Sequence, residues 1–154
     1  MFWAVSTLAY FGFLRSTEFT IPSSSALNPD IHLTVDDIAV DSHTSPSCLQ
    51  LTIKASKTDP FRKGCCLYIG LGRPPLCALS AIMNYLPLRG QSPGPLFLLS
   101  SQPLSLTLLT HRLKDIFAAA GIQGSFFSHS FRIGAATVAA RMAVPDHLIQ
   151  AVGC

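Results

Sequence analysis

Two side chains near the end of the chain have the types and spacing needed to bind a phosphate group. His129 and Arg132 are three residues apart, so on a helix they share one face. The preceding Ser128 is a typical N-cap residue, which predicts that both lie in the first turn of a helix. The N-terminus of a helix attracts anions, and an imidazole and a guanidinium add hydrogen-bond donors there. Taken alone, the His-x-x-Arg spacing is a weak signal that chance could also produce.

Other cations could contribute to the same site. Arg15 follows an apolar segment, where it could bind an anion or simply favour the C-terminus of a helix. The loop 56–64 carries Lys57, Arg62 and Lys63 beside Asp-Pro and Gly turn residues, so its tip should be exposed to a ligand. Arg112 lies on the polar side of a predicted helix. Each of these residues could contact phosphates or could be an ordinary solvated charge.

The pattern of apolar residues predicts the elements that position these side chains. Residues 1–15 are apolar nearly all round, as in a buried helix that ends on the charged cluster 15–18. Alternation with a period of two predicts an antiparallel meander of three strands, at 31–40, 49–54 and 65–69. Further helices are predicted at 74–88, 105–120 and 128–142, with a last one starting at Pro145. The whole is an α+β fold, mainly α-helical with a small three-stranded antiparallel β-sheet.

Composition narrows the class of protein. With 154 residues, of which 49% are hydrophobic and 12% charged, the chain should fold as one domain over 1–154. Its longest apolar run, at residues 1–14, is too short to span a bilayer and lacks the features of a secretory signal. Five cysteines without a C-x-x-C pair predict neither a metal site nor a disulfide framework. A net charge of +3 permits nucleic-acid binding without requiring it.

Three motifs, in order, resemble the tyrosine recombinase (phage integrase) family. The segment 127–137, FSHSFRIGAAT, resembles the His-x-x-Arg helix of that family, in the version carried by eukaryotic mobile elements. The segment 8–18, LAYFGFLRSTE, is similar to the first motif, an apolar helix ending in Gly-x-x-Arg-x-x-Glu. Lys57 lies on the loop where the family keeps a mobile catalytic lysine. The resemblance covers essentially the whole chain and implies the catalytic-core fold of DNA breaking-rejoining enzymes.

The resemblance also implies a chemistry. A tyrosine attacks a phosphate of duplex DNA, while Arg15 and Arg132 hold the non-bridging oxygens as negative charge develops. Lys57 would protonate the departing 5′ oxygen, and His129 would act in acid-base work or orient the phosphate. The partner would be duplex DNA, bound by its backbone through Arg15, Lys57, Arg62, Lys63, Arg112 and Arg132. No metal and no other cofactor is expected.

The chain departs from the family near its end. A Gly in the family is followed by a His or Trp and then by the nucleophilic tyrosine, whereas Gly153 is followed only by Cys154. Tyr10, Tyr68 and Tyr85 lie in other predicted elements. We therefore expect a core that is incomplete at its C-terminus and does not cleave DNA. Because the first motif starts almost at Met1, we also expect the family's separate N-terminal DNA-binding domain to be absent and the affinity for DNA to be weak.

Several alternatives stay open. The scaffold could be a non-catalytic protein or DNA interaction module, or a mobile-element fragment without an independent function. A missing last helix would leave apolar core surface bare, which predicts self-association through the C-terminal face. By default the protein is expected in the nucleus, if eukaryotic, or in the cytoplasm, and it is not expected to be secreted.

Overall fold

The apolar segment at the start of the chain forms a helix that is shorter than predicted, and a second short helix follows it. The computed structural model describes residues 1–22, 26–56, 59–61, 63–124, 127 and 129–152. Helix α1 covers Phe2–Phe11 and is largely buried. The helix predicted over 1–15 is too long, because the chain turns at Phe13, whose φ of 53° lies in the left-handed region. Helix α2 then covers Ser16–Phe19.

Three antiparallel strands form the main sheet, in the order β1-β2-β3. They are β1 at Ile38–Val40, β2 at Cys48–Ile53 and β3 at Cys65–Gly70. Alternate residues of β2 are buried, because one face of this strand lies on the core. The predicted three-stranded meander is confirmed.

The first predicted strand begins later than the sequence pattern indicated. Thr34 donates from its backbone N–H and its hydroxyl to Asp37 Oδ2, over 2.7 and 2.8 Å. These bonds close a 3-10 turn at Val35–Asp37, so that only 38–40 of the predicted 31–40 is strand. Lys54 reaches the same Asp37 oxygen at 2.7 Å, which links the turn to the end of β2.

Two long helices follow the sheet. Helix α3 covers Ala78–Arg89 and begins four residues later than the Pro74 start predicted from the sequence, because Cys77 is its N-cap. Helix α4 covers Leu106–Ala119 and is capped by Ser105, whose Oγ accepts from the Leu108 N–H over 3.2 Å. Gly121, with a φ of 67°, follows the end of α4 as predicted.

The connector between α3 and α4 contains a small hairpin that the sequence did not reveal. Its strands are β4 at Leu98–Leu99 and β5 at Gln102–Pro103. The hydroxyl of the buried Tyr85 accepts from the Leu98 N–H over 2.9 Å and donates to the Leu96 carbonyl over 3.2 Å. These bonds attach the connector to α3.

The last helices are α5 at Ser130–Arg141 and α6 at Asp146–Val152, the latter after Pro145 as predicted. Helix α1 packs against both α3 and α5, so that the first and the fifth helix lie side by side. The predicted cap Ser128, together with 153–154, lies outside the described residues. Within the described ranges, no helix is long and apolar enough to cross a membrane.

Candidate functional site

Arg15 lies at the start of α2 and is held by the carboxylate of Glu18. Its backbone N–H donates to Glu18 Oε2 over 2.7 Å, and its Nη1 donates to Glu18 Oε1 over 3.2 Å. The Arg15 side chain is 18% exposed and that of Glu18 only 5%. A buried carboxylate is stable only when it is paired and hydrogen-bonded, as it is here. Arg15 therefore begins a helix rather than favouring the end of one.

Ser56, three residues after the end of β2, forms hydrogen bonds with both members of this pair. Arg15 Nη1 donates to Ser56 Oγ over 2.8 Å, and Ser56 Oγ donates to Glu18 Oε1 over 3.0 Å. The three side chains thus form a closed network between the α1–α2 connection and the loop that leads to β3. Lys57 directly follows Ser56 in the sequence but lies outside the described residues, as does Arg62.

Arg132 reaches the same segment from α5. It is the third residue of that helix, and its Nη1 donates to the carbonyl of Phe13 over 3.1 Å, across 119 positions of sequence. Phe13 is two residues before Arg15. Its left-handed backbone is costly for a bulky residue. The structure therefore brings the two predicted arginines to one short stretch of chain, 13–18.

His129 occupies the N-cap position of α5, with its ring exposed and without a capping hydrogen bond from its side chain. The prediction that His129 and Arg132 share the start of one helix is confirmed. The first turn of α5 contains no acidic residue. An anion at this end of the helix would therefore meet the helix dipole and the Arg132 charge without a competing carboxylate from this turn.

The remaining predicted cations lie apart from this network. Lys63 is exposed, 5.9 Å from the centre of the Phe61 ring, and lines an open groove with Lys54. Arg112 lies on the exposed side of α4, 3.9 Å from the carboxylate of Asp115. In the part of the chain that the structure describes, Lys63 and Arg112 make these contacts with Phe61 and Asp115 and none with Arg15 or Arg132.

Two contributors were not assigned a site role from the sequence. Glu18 is part of the first motif but was not predicted to act in the site, although its position three residues after Arg15 indicates an ion pair. Ser56 carried no signal except that it precedes Lys57. In the part of the chain that the structure describes, no three His, Cys, Asp or Glu side chains are grouped to hold a metal ion.

Comparison with known proteins identifies the fold. A solved structure similar to this chain is that of the XerH site-specific recombinase bound to palindromic difH substrate, in a post-cleavage complex. The match has a TM-score of 0.65 and 16% sequence identity, and covers 97% of this chain. The fold is that of a tyrosine recombinase. This chain spans only 37% of the recombinase chain. No family model matches the sequence, and no curated protein matches it.

The recombinase fold agrees with the architecture predicted from the sequence. In the part of the chain that the structure describes, six α-helices and a three-stranded antiparallel sheet form the α+β arrangement that was expected of a DNA breaking-rejoining core. At 16% identity the likeness concerns the fold alone. The roles of Arg15, Lys57, His129 and Arg132 in chemistry, and the assignment of 1–154 as one catalytic-core-like domain, stay predictions.

Proposed function

We propose that this domain binds duplex DNA through its phosphate backbone, with Arg15 and Arg132 as the main contacts and His129 beside them. The observation that carries the proposal is the hydrogen bond from Arg132 to the Phe13 carbonyl, because it joins α5 to the segment that holds Arg15. Two guanidinium groups near one helix N-terminus offer several donors to the oxygens of a phosphodiester. Lys57, Arg62, Lys63 and Arg112 are proposed as further backbone contacts.

The fold supports this partner. The recombinase whose structure is similar was solved with a palindromic substrate bound. Phosphate contacts are independent of base sequence and position a protein on the duplex. Binding of this kind requires cations on a common surface but does not require an intact catalytic machinery. Descent from a mobile-element recombinase, and a nuclear or cytoplasmic location, are further proposals that rest on the sequence.

We expect the 154-residue chain to bind DNA without cutting it. Strand transfer by this chemistry needs a tyrosine hydroxyl that is free to attack the phosphate. The hydroxyl of Tyr85 is buried and bonded to the connector, and burial raises the pKa of Tyr85. Tyr68 is exposed on β3, and Tyr10 lies in α1 with its ring against Phe11. None of the three extends from a helix after α6, where the resemblance places the nucleophile.

Fluorescence anisotropy with a labelled duplex of about 25 base pairs tests the proposal. Arg132→Ala should weaken binding about 10-fold, which corresponds to the loss of one charge-assisted contact. It should also lower the slope of log K against log salt by about 0.9, because one phosphate contact is lost. Arg141→Ala is the matched control, since it removes the same charge from the other end of α5, about 14 Å away along the helix axis.

Two results would reject DNA binding at this site. The first is a wild-type protein without salt-dependent affinity for the duplex. The second is an Arg132→Ala variant that binds as tightly as Arg141→Ala, with the same salt slope. In that case the cations of α5 would contribute only a diffuse positive field.

A protein-interaction role has a separate observation in its favour. Large apolar side chains are exposed on α5 and on the segment after it, with Ile133 64%, Met142 74% and Leu148 48% exposed. Apolar surface of this kind favours association with a protein surface. We propose self-association through this C-terminal face, which sedimentation velocity over a range of protein concentrations tests. A purely monomeric protein at high concentration would contradict it.

A further inference from the structure

We propose that Ser56 is a positioning residue: its hydroxyl fixes the start of the β2–β3 loop against Arg15 and Glu18 and so sets the geometry of the phosphate site. The inference rests on the proposed DNA-binding function and deepens it. In the part of the chain that the structure describes, the Ser56 hydroxyl bonds the first residue of the loop that carries Lys57 to Arg15 and Glu18. No sequence motif assigned it a role.

The direction of the hydrogen bonds is fixed by chemistry. A serine hydroxyl has one proton to donate and lone pairs to accept with, while a guanidinium only donates and a carboxylate only accepts. Ser56 therefore accepts from Arg15 Nη1 over 2.8 Å and donates its proton to Glu18 Oε1 over 3.0 Å. Both partners carry a charge, which makes each bond stronger than one between neutral groups.

Burial makes the network sensitive to the loss of this hydroxyl. The Glu18 side chain is 5% exposed, so water can replace a lost donor only poorly. Without the Ser56 hydroxyl, Glu18 Oε1 has one donor fewer, and Arg15 Nη1 loses the acceptor that directs it toward the loop. The loop would thus lose two of the hydrogen bonds that link it to Arg15 and Glu18, and the Arg15 guanidinium would be less fixed in direction.

The Ser56 network matters for DNA binding because Lys57 is the next residue in the loop. Lys57 directly follows Ser56 in the sequence and is one of the proposed backbone contacts. A loop fixed at its first residue loses less conformational entropy when it meets a ligand than one that is free at both ends. We infer that the network pre-organises the loop for contact with the backbone on which Arg15 acts.

The test uses two readouts on the full chain, with Ser56→Ala, the conservative Ser56→Thr, and Thr52→Ala as the matched control. Thr52 also carries a hydroxyl on β2, but it lies beside the Cys66 thiol on the exposed face of the sheet. The first readout, hydrogen-deuterium exchange without DNA, should show faster exchange in Ser56→Ala at residues 54–64 and 13–18. Ser56→Thr should restore the wild-type rate there, and Thr52→Ala should not change it.

The second readout is the anisotropy assay with the 25-base-pair duplex. Ser56→Ala should bind about 3 to 10 times more weakly than wild type, and Ser56→Thr within about twofold of it. Unchanged exchange in Ser56→Ala overturns the proposal whatever the affinity for DNA. Changed exchange with unchanged affinity overturns the link to the phosphate site. If exchange changes in Ser56→Ala but the wild-type protein does not bind DNA, the proposed function is rejected. The role of Ser56 in fixing the loop then remains in place.

Discussion

The carboxylate of Glu18 should be one of the most sensitive single groups of this fold. It accepts from the Arg15 N–H over 2.7 Å, from Arg15 Nη1 over 3.2 Å and from the Ser56 hydroxyl over 3.0 Å. Glu18→Gln preserves the shape of the side chain but replaces one oxygen by an NH2 group. In one orientation the NH2 group meets the Arg15 N–H, and in the other it meets the guanidinium. Each orientation places two donors against each other.

The magnitude follows from these contacts. At least one hydrogen bond to a charged group is lost, which is worth about 1.5–3 kcal/mol, and the partly buried Arg15 side chain loses its counter-charge. We expect Glu18→Gln to lower the free energy of unfolding by about 2–4 kcal/mol. With a urea m-value of about 2 kcal/mol/M, the unfolding midpoint should fall by about 1–2 M. Asp36→Asn is the control, because Asp36 is an exposed acid.

Equilibrium urea unfolding followed by far-UV circular dichroism provides the measurement. The reasoning is refuted if Glu18→Gln and Asp36→Asn lower the midpoint equally, or if both lose less than about 0.5 kcal/mol. A second cycle with Arg15→Met separates the causes. If the cost comes from the Arg15 pair, the double variant should be more stable than the sum of the single losses predicts, by about 0.5–3 kcal/mol.

Two further predictions concern groups outside the site. Tyr85→Phe should lower the free energy of unfolding by about 1–3 kcal/mol in chemical denaturation, because the Leu98 N–H loses its acceptor. Since burial raises the pKa of Tyr85, this difference should shrink above about pH 10, where the unfolded state ionises first; a constant difference would contradict it. Hydrogen bonds from Ser47 and Cys48 lower the pKa of Asp41 to about 2, so its carboxylate stabilises the fold above about pH 4 and loses this effect as the pH falls toward 2. The Tm advantage of wild type over Asp41→Asn should therefore decrease from pH 5 to pH 2, and an advantage independent of pH would disprove the assignment.

The elements of the fold were largely predictable because their signals are local. Periodicity located β2 and β3 to within one residue, and Ser105 and Gly121 marked the ends of α4. The errors occurred where a tertiary or side-chain contact overrides the apolar pattern. The left-handed turn at Phe13 ends α1 early, and the bonds between Thr34 and Asp37 form a turn inside the predicted strand 31–40, of which only 38–40 is strand.

The residue types of the candidate site were predictable from the sequence, but the hydrogen bonds that join these residues were not. Arg15 and Arg132 were identified from motifs, whereas the Phe13 carbonyl that joins them has no signature, since any residue supplies a carbonyl. Ser56 likewise carries no sequence signal, because a serine beside a lysine in a turn is common. Contacts across 119 and 41 positions depend on the packing of α1 against α5 and on the end of β2. Such contacts cannot be inferred from spacing along the chain.

The distribution of charge explains why Arg132 is a sharper probe of phosphate binding than Arg15. Arg15, Arg132 and Glu18 together carry a net charge of +1, which matches the single negative charge of a phosphodiester. Arg15 shares its charge with a buried carboxylate, whereas the bond from Arg132 to Phe13 goes to a carbonyl without formal charge. Removing the Arg15 side chain also takes the counter-charge from the buried Glu18 carboxylate. A loss of affinity in that variant therefore reflects a less stable fold as well as a lost phosphate contact. The described hydrogen bonds of the Glu18 carboxylate do not involve Arg132, so a loss of affinity in the Arg132 variant reports more directly on the phosphate contact.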